Sequence, residues 1–404
     1  MQAKDINRRH LVQLKDWSLT AWVAGFLAVL ISYAGPLVIY IQAAQAGHIS
    51  NAELTSWIWA ISMGAGISGV LLSWWLKLPI ITAWSAPGTA LLLSLFPAIT
   101  MPEVVGAYLI AAVVVIAIGI TGAFERIVNF IPRGIAAGMM VGILFQFGVQ
   151  AFRASMELPV AVFAMLAAYL ISRRFWPSYA VVIVALTGFG VVLGMGQANL
   201  HALTLVVAKP VLVVPQFSLG GLLSLAVPLV LVSLTGQYLP GMAVLRLSGY
   251  QAPSRAVLTG TGLASLALAP FGGISIVLAA ITAALCTGPD AHPDPARRYV
   301  AGISNGVFYL VGALFAGSVV LAFSAFPPAF IAALAGLALV GAIVSNIRML
   351  ADEPAYIESS VITFLVTASG MTVGGLGSAF WGIVIGLAAH WIYKFAKPAP
   401  IARP

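Results

Sequence analysis

Two hydrophobic segments of this chain, residues 79–91 and 270–278, are interrupted in the same way. Each begins with a proline, continues through β-branched or aromatic residues, passes a serine and then becomes an apolar run typical of a helix. Backbone that is not helical at membrane depth survives only inside protein or beside a cavity, because lipid offers it no hydrogen-bond partners. Two half-helices that begin near the bilayer midplane direct two positive N-termini at one place. The pattern therefore predicts an anion site of a carrier between the two segments.

The composition is that of a membrane protein. Of the 404 residues, 61% are hydrophobic and only 7% are charged, and the mean hydropathy is +1.05. Soluble domains carry about 25% charged residues. Apolar runs long enough to cross a bilayer recur from Trp17 to Phe395, which predicts an all-α polytopic membrane protein with fourteen transmembrane segments. We expect these spans near residues 18–43, 53–76, 79–98, 102–124, 134–151, 158–172, 178–196, 220–241, 254–269, 271–288, 299–323, 327–346, 356–373 and 376–395.

The basic residues predict the orientation of these spans. With the N-terminus in the cytoplasm, every Lys and Arg except Arg153 and Lys209 falls on the cytoplasmic side. This distribution follows the positive-inside rule and places the C-terminus in the cytoplasm as well. The net charge of +8 is then a consequence of topology, and nucleic acid is not expected as a partner.

The chain divides into two halves at the long polar interruption that begins at residue 197. Residues 130–137 resemble residues 326–333. Seven spans per half is an odd number, so the second half enters the membrane from the opposite side and the repeat is inverted. The predicted organisation is a cytoplasmic N-terminal segment (1–17), a first seven-span repeat (18–196), a linker (197–219), a second seven-span repeat (220–395) and a cytoplasmic tail (396–404).

The first interrupted segment contains the signals of a helix N-terminus. Ser85 is placed as an N-cap and Pro87 lies in the first helical turn. Because proline has no N–H group, we expect Gly88, Thr89 and nearby residues to offer the free backbone donors at this terminus. The alternative is an ordinary capped helix start with no ligand.

The second interrupted segment and two other spans add candidate substrate contacts. Gly273 permits close backbone approach, and Ser275 is the expected cap of the second half-helix and a hydroxyl donor. Gln237 lies in the apolar eighth span, where its amide either ties two helices together or faces a cavity. Tyr33 offers a ring and a hydroxyl group, with interhelical packing as the alternative.

The placement of the acidic residues indicates the charge of the substrate. All eleven Asp and Glu lie at or near predicted span ends, so an anion would meet no repulsion in the central cavity and a cation would find no partner there. No paired carboxylates or clustered metal ligands occur within the spans, which argues against a membrane-embedded enzyme. We expect no cofactor and no metal site.

Residues 287–294 form the densest ionisable cluster of the chain. Asp290 and His292 are candidates for proton transfer at a cytoplasmic mouth, because histidine titrates near neutral pH. Glu358 and Glu125 are further candidates. The alternative is that the cluster is a solvated turn.

Three blocks of the sequence, residues 82–88, 279–294 and 364–382, resemble the benzoate/proton symporter (BenE) family of bacterial inner membranes. The resemblance implies the fourteen-span fold of uracil and anion permeases, with a core domain and a gate domain. In that fold spans 3 and 10 are part strand and part half-helix, and the substrate lies between them beside spans 1 and 8. The nucleobase carriers of this fold have glutamates in spans 8 and 10, where this chain has Gln237 and residues 273–275.

The resemblance implies import of benzoate, or a similar aromatic carboxylate, with protons by alternating access. The carboxylate would lie between residues 85–89 and 275–277, and the ring would contact Tyr33, Trp84 and Ile274. A carrier of inorganic anions or of nucleobases on the same fold is the alternative, and a channel is less compatible with an inverted repeat. The oligomeric state is open, with a homodimer as one alternative.

Overall fold

The computed structural model describes residues 16–199, 204–280, 282–352 and 354–395. Nearly all of the predicted segment 1–17 and the whole predicted tail 396–404 lie outside the described residues. The helices are α1 (Leu19–Ala34), α2 (Pro36–Ala46), α3 (Asn51–Leu76), α4 (Ala86–Leu95), α5 (Met101–Thr121), α6 (Phe124–Phe130), α7 (Arg133–Arg153), α8 (Pro159–Phe175), α9 (Ala180–Gly194), α10 (Leu219–Leu247), α11 (Ser254–Leu268), α12 (Ala283–Thr287), α13 (Tyr299–Leu314), α14 (Ala316–Ser324), α15 (Pro328–Ala351), α16 (Ile357–Ala368) and α17 (Ser378–Phe395).

Two short strands join the interrupted segments. Strand β1 (Thr82–Trp84) pairs antiparallel with β2 (Ile276–Leu278), with Ala83 opposite Val277. The ladder extends beyond both strands, since the Ser85 N–H donates to the Ser275 carbonyl at 2.9 Å and the Ala279 N–H donates to the Ile81 carbonyl at 2.8 Å. The two interrupted segments therefore satisfy each other's backbone groups at membrane depth, as the bilayer requires. Both interrupted segments therefore contain a strand, and the first continues directly into helix α4, while their assignment as spans 3 and 10 stays a prediction.

Fewer of the described helices are long and apolar enough to cross a membrane than the sequence predicts. Seven of the described helical segments are long and apolar enough to cross a bilayer, or eight if α13 and α14, which are bent by 70° relative to each other, form one span. Helices α4 and α16 are apolar but shorter. The structure is thus a mostly helical membrane protein, while the count of fourteen and the inverted repeat stay predictions.

Capping serines, threonines and glutamates define where long helices begin. Helix α3 starts with a capping box, in which Ser50 Oγ accepts from the Glu53 N–H and the Glu53 carboxylate accepts from the Ser50 N–H at 3.1 Å. Thr100 and Glu103 form the same arrangement at the start of α5. Such boxes satisfy backbone donors that a helix start leaves free. Two of the acidic residues at span ends therefore have a structural role.

The helices pack in two groups around the strands. One group contains the strand pair with α1, α3, α5, α11 and α13, and the other contains α7, α8, α9, α15, α16 and α17. Close approach within the first group depends on glycine, since a Cβ on Gly306 would lie 2.6 Å from the Gly66 carbonyl oxygen. Helix α4 and the middle of α10 lie between the groups, contacting α7 as well as each other. The two groups face each other across the region where the half-helices begin.

The described part of the predicted linker, residues 204–218, contains no helix. It is held by backbone hydrogen bonds, among them one from the Val213 N–H to the Pro270 carbonyl at 2.8 Å and one from the Gln216 N–H to the Pro102 carbonyl at 2.8 Å. These contacts attach the segment to the first turn of α5 and to the residues that follow α11. The predicted boundaries of the repeats stay predictions.

Candidate functional site

The first half-helix begins as the sequence predicts, with a capping serine. Ser85 Oγ accepts from the Gly88 N–H at 3.2 Å, and the Ser85 carbonyl accepts from the Thr89 N–H at 2.9 Å. The expectation that Gly88 and Thr89 offer free donors is therefore wrong, because both groups are used within the first turn. Pro87 has no N–H group, so within the described chain the Ala86 N–H is the donor of this turn that has no acceptor.

The second half-helix begins later than predicted. Ser275 does not cap it, since residues 276–278 form β2 and α12 starts only after Thr282. The three apolar residues that follow Ser275 pair with β1, and the Ser275 carbonyl accepts the Ser85 N–H instead. The predicted helix terminus at residues 275–277 is therefore wrong. Helix α12 has only five residues, and we assign no anion site to its terminus.

Gly273 and Ile274 lie behind the strands, away from the region between the helix groups. The Gly273 N–H donates to the Leu268 carbonyl at 3.1 Å, and the Ile274 N–H donates to the Tyr40 hydroxyl oxygen at 3.2 Å. Gly88 also has a packing role, because a Cβ at this position would overlap the Leu229 side chain of α10. Gly273, Ile274 and Gly88 therefore contribute to packing and backbone hydrogen bonding around the two interrupted segments.

A cavity of about 350 Å³ lies between the half-helices and α15, and we call it the central cavity. This volume is within the range of small-molecule sites, roughly 300 Å³ and above. Three sequence-predicted residues line it together, namely Trp84, Pro87 and Gln237. Its other lining residues include the polar Thr235, Thr282, Ser345 and Asn346 and the apolar Ala86, Met140, Leu144, Ala280 and Ala338. None of the described lining residues is charged.

Gln237 lies where α10 departs from regular α-helical geometry. A π-helical turn covers Leu234–Tyr238, and π-turns occur frequently at functional sites. The next residue, Tyr238, anchors the turn, because its hydroxyl group donates to the Ile276 carbonyl of β2 (3.1 Å) and its oxygen lies 2.6 Å from Thr261 Oγ1. The half-buried Gln237 amide makes no hydrogen bond to another described residue. Of the two alternatives for this side chain, the structure favours the one in which it faces the cavity.

The two predicted aromatic contacts occupy different positions. Trp84 lines the central cavity, and its indole N–H is buried without an acceptor in the described part of the protein. Tyr33 lies behind it, with ring centroids 6.1 Å apart, and its hydroxyl group is 2.7 Å from Ser62 Oγ. A Cβ on Gly312 would overlap the Tyr33 ring. Tyr33 therefore packs between helices, which was the alternative at this position.

A second cavity of about 480 Å³ adjoins the central one, and we call it the vestibule. The two share Ile31, Val181, Ala338, Gly341 and Ala342 as lining residues. The vestibule lies at the end of α1 that carries Leu19, which is the predicted cytoplasmic side.

The two members of the predicted proton-transfer pair differ in their surroundings. Asp290 is exposed and lines the vestibule. His292 is buried, and its Nδ1 accepts from the Asp294 N–H at 2.9 Å. The buried guanidinium of Arg298 holds the same turn by donating to the carbonyls of His292 (2.7 Å) and Thr287 (2.8 Å). His292 is thus part of a structured turn, whereas Asp290 is reachable through the vestibule.

The two further proton-transfer candidates lie elsewhere. Glu125 is exposed and pairs with Arg246 at 2.7 Å. Glu358 is exposed in the first turn of α16. Neither residue lines the central cavity or the vestibule.

Sequence reasoning missed the side of the cavity formed by α15. Ser345 and Asn346 line it, and the Asn346 side chain donates to the Ala342 carbonyl at 2.8 Å. Their signal in the sequence is a pair of polar residues within an apolar span, which is the same signal that singled out Gln237. Among the described residues, no cluster of His, Cys, Asp or Glu is arranged to hold a metal ion.

Known proteins resemble this chain over nearly its whole length. The sequence profile of the family described as benzoate membrane transport protein (BenE) matches residues 15–392. The chain is 54% identical over 378 residues to a benzoate membrane transport protein of Acinetobacter baylyi. The alignment covers 94% of this chain and 96% of that protein. It is 39% identical over 367 residues to the inner membrane protein YdcO of Escherichia coli, covering 90% and 93% respectively.

Two solved structures share the fold. SLC26A9 superposes with a TM-score of 0.64 at 13% identity over 96% of this chain and 66% of that chain. The transmembrane domain of the cyanobacterial bicarbonate transporter BicA superposes with a TM-score of 0.57 at 14% identity, over 94% of this chain and 98% of that chain. At such low identity these likenesses show the architecture alone.

Proposed function

The chain belongs to the benzoate membrane transport (BenE) family, and we propose that it imports benzoate or a similar aromatic carboxylate together with protons. Membership of this family makes it a membrane transporter and not an enzyme. The proposed location is the bacterial inner membrane, with both termini in the cytoplasm. The proposed mechanism is alternating access, in which the two helix groups move so that the central cavity opens to one side at a time.

The observation that carries the proposal is the set of unpartnered donors around an uncharged cavity. The Ala86 N–H, the Trp84 indole N–H and the Gln237 amide lack acceptors within the described protein. The Trp84 indole N–H is fully buried, where a donor without an acceptor costs about 1–3 kcal/mol, whereas Ala86 and Gln237 are only half-buried. A carboxylate supplies such acceptors, and the N-terminus of α4 favours its negative charge.

The aromatic ring of the substrate has a complementary surface across the cavity. Met140 and Leu144 of α7 line this side, and methionine makes favourable contacts with aromatic rings. We place the carboxylate at Trp84, Ala86 and Gln237, and the ring toward α7. In this arrangement Tyr33 supports the Trp84 ring by packing against it. The start of α4 is held by the hydrogen bonds of Ser85 with Gly88 and Thr89.

Proton coupling requires a group that carries the proton. Benzoic acid is almost wholly ionised at neutral pH, and the positive end of α4 favours its charged form further. A protein group is therefore the proposed carrier. Asp290 is our candidate because it lines the vestibule, which shares five lining residues with the central cavity.

Uptake of radiolabelled benzoate into proteoliposomes tests the function. We expect accumulation when the outside is more acidic than the inside, and collapse of the accumulation when a protonophore is added. Unlabelled methylbenzoates should compete with uptake, whereas bicarbonate should not. Competition by bicarbonate together with indifference to aromatic acids would instead identify an inorganic-anion carrier on this fold.

A further inference from the structure

A single arginine side chain lines the vestibule. Arg173 belongs to the last turn of α8, and its Nη2 lies 3.9 Å from the position that a Cβ on Gly341 would occupy. Gly341 of α15 lines both the vestibule and the central cavity. The guanidinium group of Arg173 therefore lies beside Gly341, at the boundary where the two cavities share lining residues.

The charge of Arg173 is available to a ligand. No acidic side chain among the described residues forms an ion pair with it. Asp290 also lines the vestibule, but the two side chains are not paired. An unpaired guanidinium group presents a fork of N–H donors that matches the geometry of a carboxylate.

We propose that Arg173 forms an access subsite in the vestibule, where an aromatic carboxylate binds transiently on its way between the cytoplasm and the central cavity. This inference rests on the proposed function and adds a second, weaker position for the same class of ligand. A cation beside a narrow passage raises the local concentration of anions and lowers the barrier to their passage. Arg173 would speed the entry and exit of the anion without contacting it in the central cavity.

Comparison with the neighbouring Arg174 distinguishes an access subsite from a role in helix capping or in membrane topology. Both arginines lie in the last turn of α8, where cations interact favourably with the helix dipole, and both obey the predicted orientation. Both are exposed. Only Arg173 lines the vestibule. A role in helix capping or topology predicts equal behaviour of the two residues, whereas an access subsite predicts that they differ.

The test is stopped-flow binding of benzoate to the purified full-length protein, followed by tryptophan fluorescence at several salt concentrations. We expect R173Q to slow association and dissociation together by roughly threefold at low salt. The equilibrium Kd should stay unchanged because the central cavity is intact. The difference from wild type should shrink at high salt, where the charge is screened. R173K should restore most of the rate, and R174Q should behave as wild type.

Each contrary outcome has a distinct meaning. Equal rates and salt dependence in R173Q and R174Q, with benzoate binding intact, would overturn the access subsite and leave the proposed function standing. A large rise in Kd for R173Q, caused by faster dissociation alone, would place the arginine in the final binding site and also overturn it. Absence of benzoate binding by the wild-type protein would overturn both proposals.

Discussion

Replacing Gln237 by leucine should weaken substrate binding without weakening the fold. The half-buried amide makes no hydrogen bond to another described residue, so its removal leaves no described protein group unsatisfied. Leucine is of similar size and suits the apolar neighbours of the π-turn. The whole effect should therefore appear in the affinity for benzoate.

The size of this effect follows from the interaction that is lost. A hydrogen bond from a neutral donor to a charged acceptor is worth about 1.5–3 kcal/mol. The Kd of Gln237→Leu should rise by roughly 10- to 150-fold, since each 1.4 kcal/mol is a factor of ten. Gln237→Glu should weaken binding at least as much at neutral pH, because it places a second negative charge beside the carboxylate.

The assay is isothermal titration of benzoate into monodisperse protein at pH 7, together with the melting temperature of each variant. Gln146→Leu is the matched control. The Gln146 amide donates to the Ala368 carbonyl at 2.7 Å and lies outside the central cavity, so this variant should lose stability and keep its affinity. An unchanged Kd in both Gln237 variants would refute the placement of the carboxylate at this side chain.

Three further variants probe other parts of the structure. Ser85→Ala should lower the free energy of unfolding by about 1–2 kcal/mol, measured by denaturation in detergent, because the Gly88 N–H loses its acceptor. Asp290→Asn should abolish gradient-driven accumulation of benzoate in proteoliposomes while exchange continues, and normal accumulation would exclude Asp290 as the proton carrier. Arg246→Gln should leave melting temperature and transport nearly unchanged, because an exposed ion pair contributes only about 0–1 kcal/mol.

The sequence predicted the first half-helix better than the second, for a physical reason. At Ser85 and Pro87 the helix start is determined by local capping chemistry, which a sequence displays directly. After Ser275 the residues Ile276, Val277 and Leu278 are compatible with either a buried strand or a helix. The choice depends on pairing with β1, almost two hundred positions away. Only the resemblance to a known family indicated a strand there, and the residue pattern alone placed the helix too early.

The cavity could be predicted only in part. Trp84 was identified because it lies in an interrupted hydrophobic segment, and Gln237 because it is a polar residue in an apolar span. Both signals are local and can be recognised in the sequence. The contribution of Met140 depends on how the two helix groups face each other, and no local pattern contains that information. Asn346 carries the same local signal as Gln237, but that signal does not show which cavity the side chain lines. Gly273 and Ile274 do not line the central cavity, and their backbone N–H groups bond to Leu268 of α11 and to Tyr40, so their predicted contact with the substrate stays a prediction.

The ladder between β1 and β2 makes the two halves of the chain dependent on each other for stability. Each half supplies one strand of three residues, and neither has a second strand with which to pair among the described residues. A half produced alone would leave a row of peptide groups unpaired at the centre of the bilayer, at a cost of several kcal/mol for each group. Residues 1–196 and 220–404 expressed as separate polypeptides should therefore accumulate only when they are produced together in the same cell.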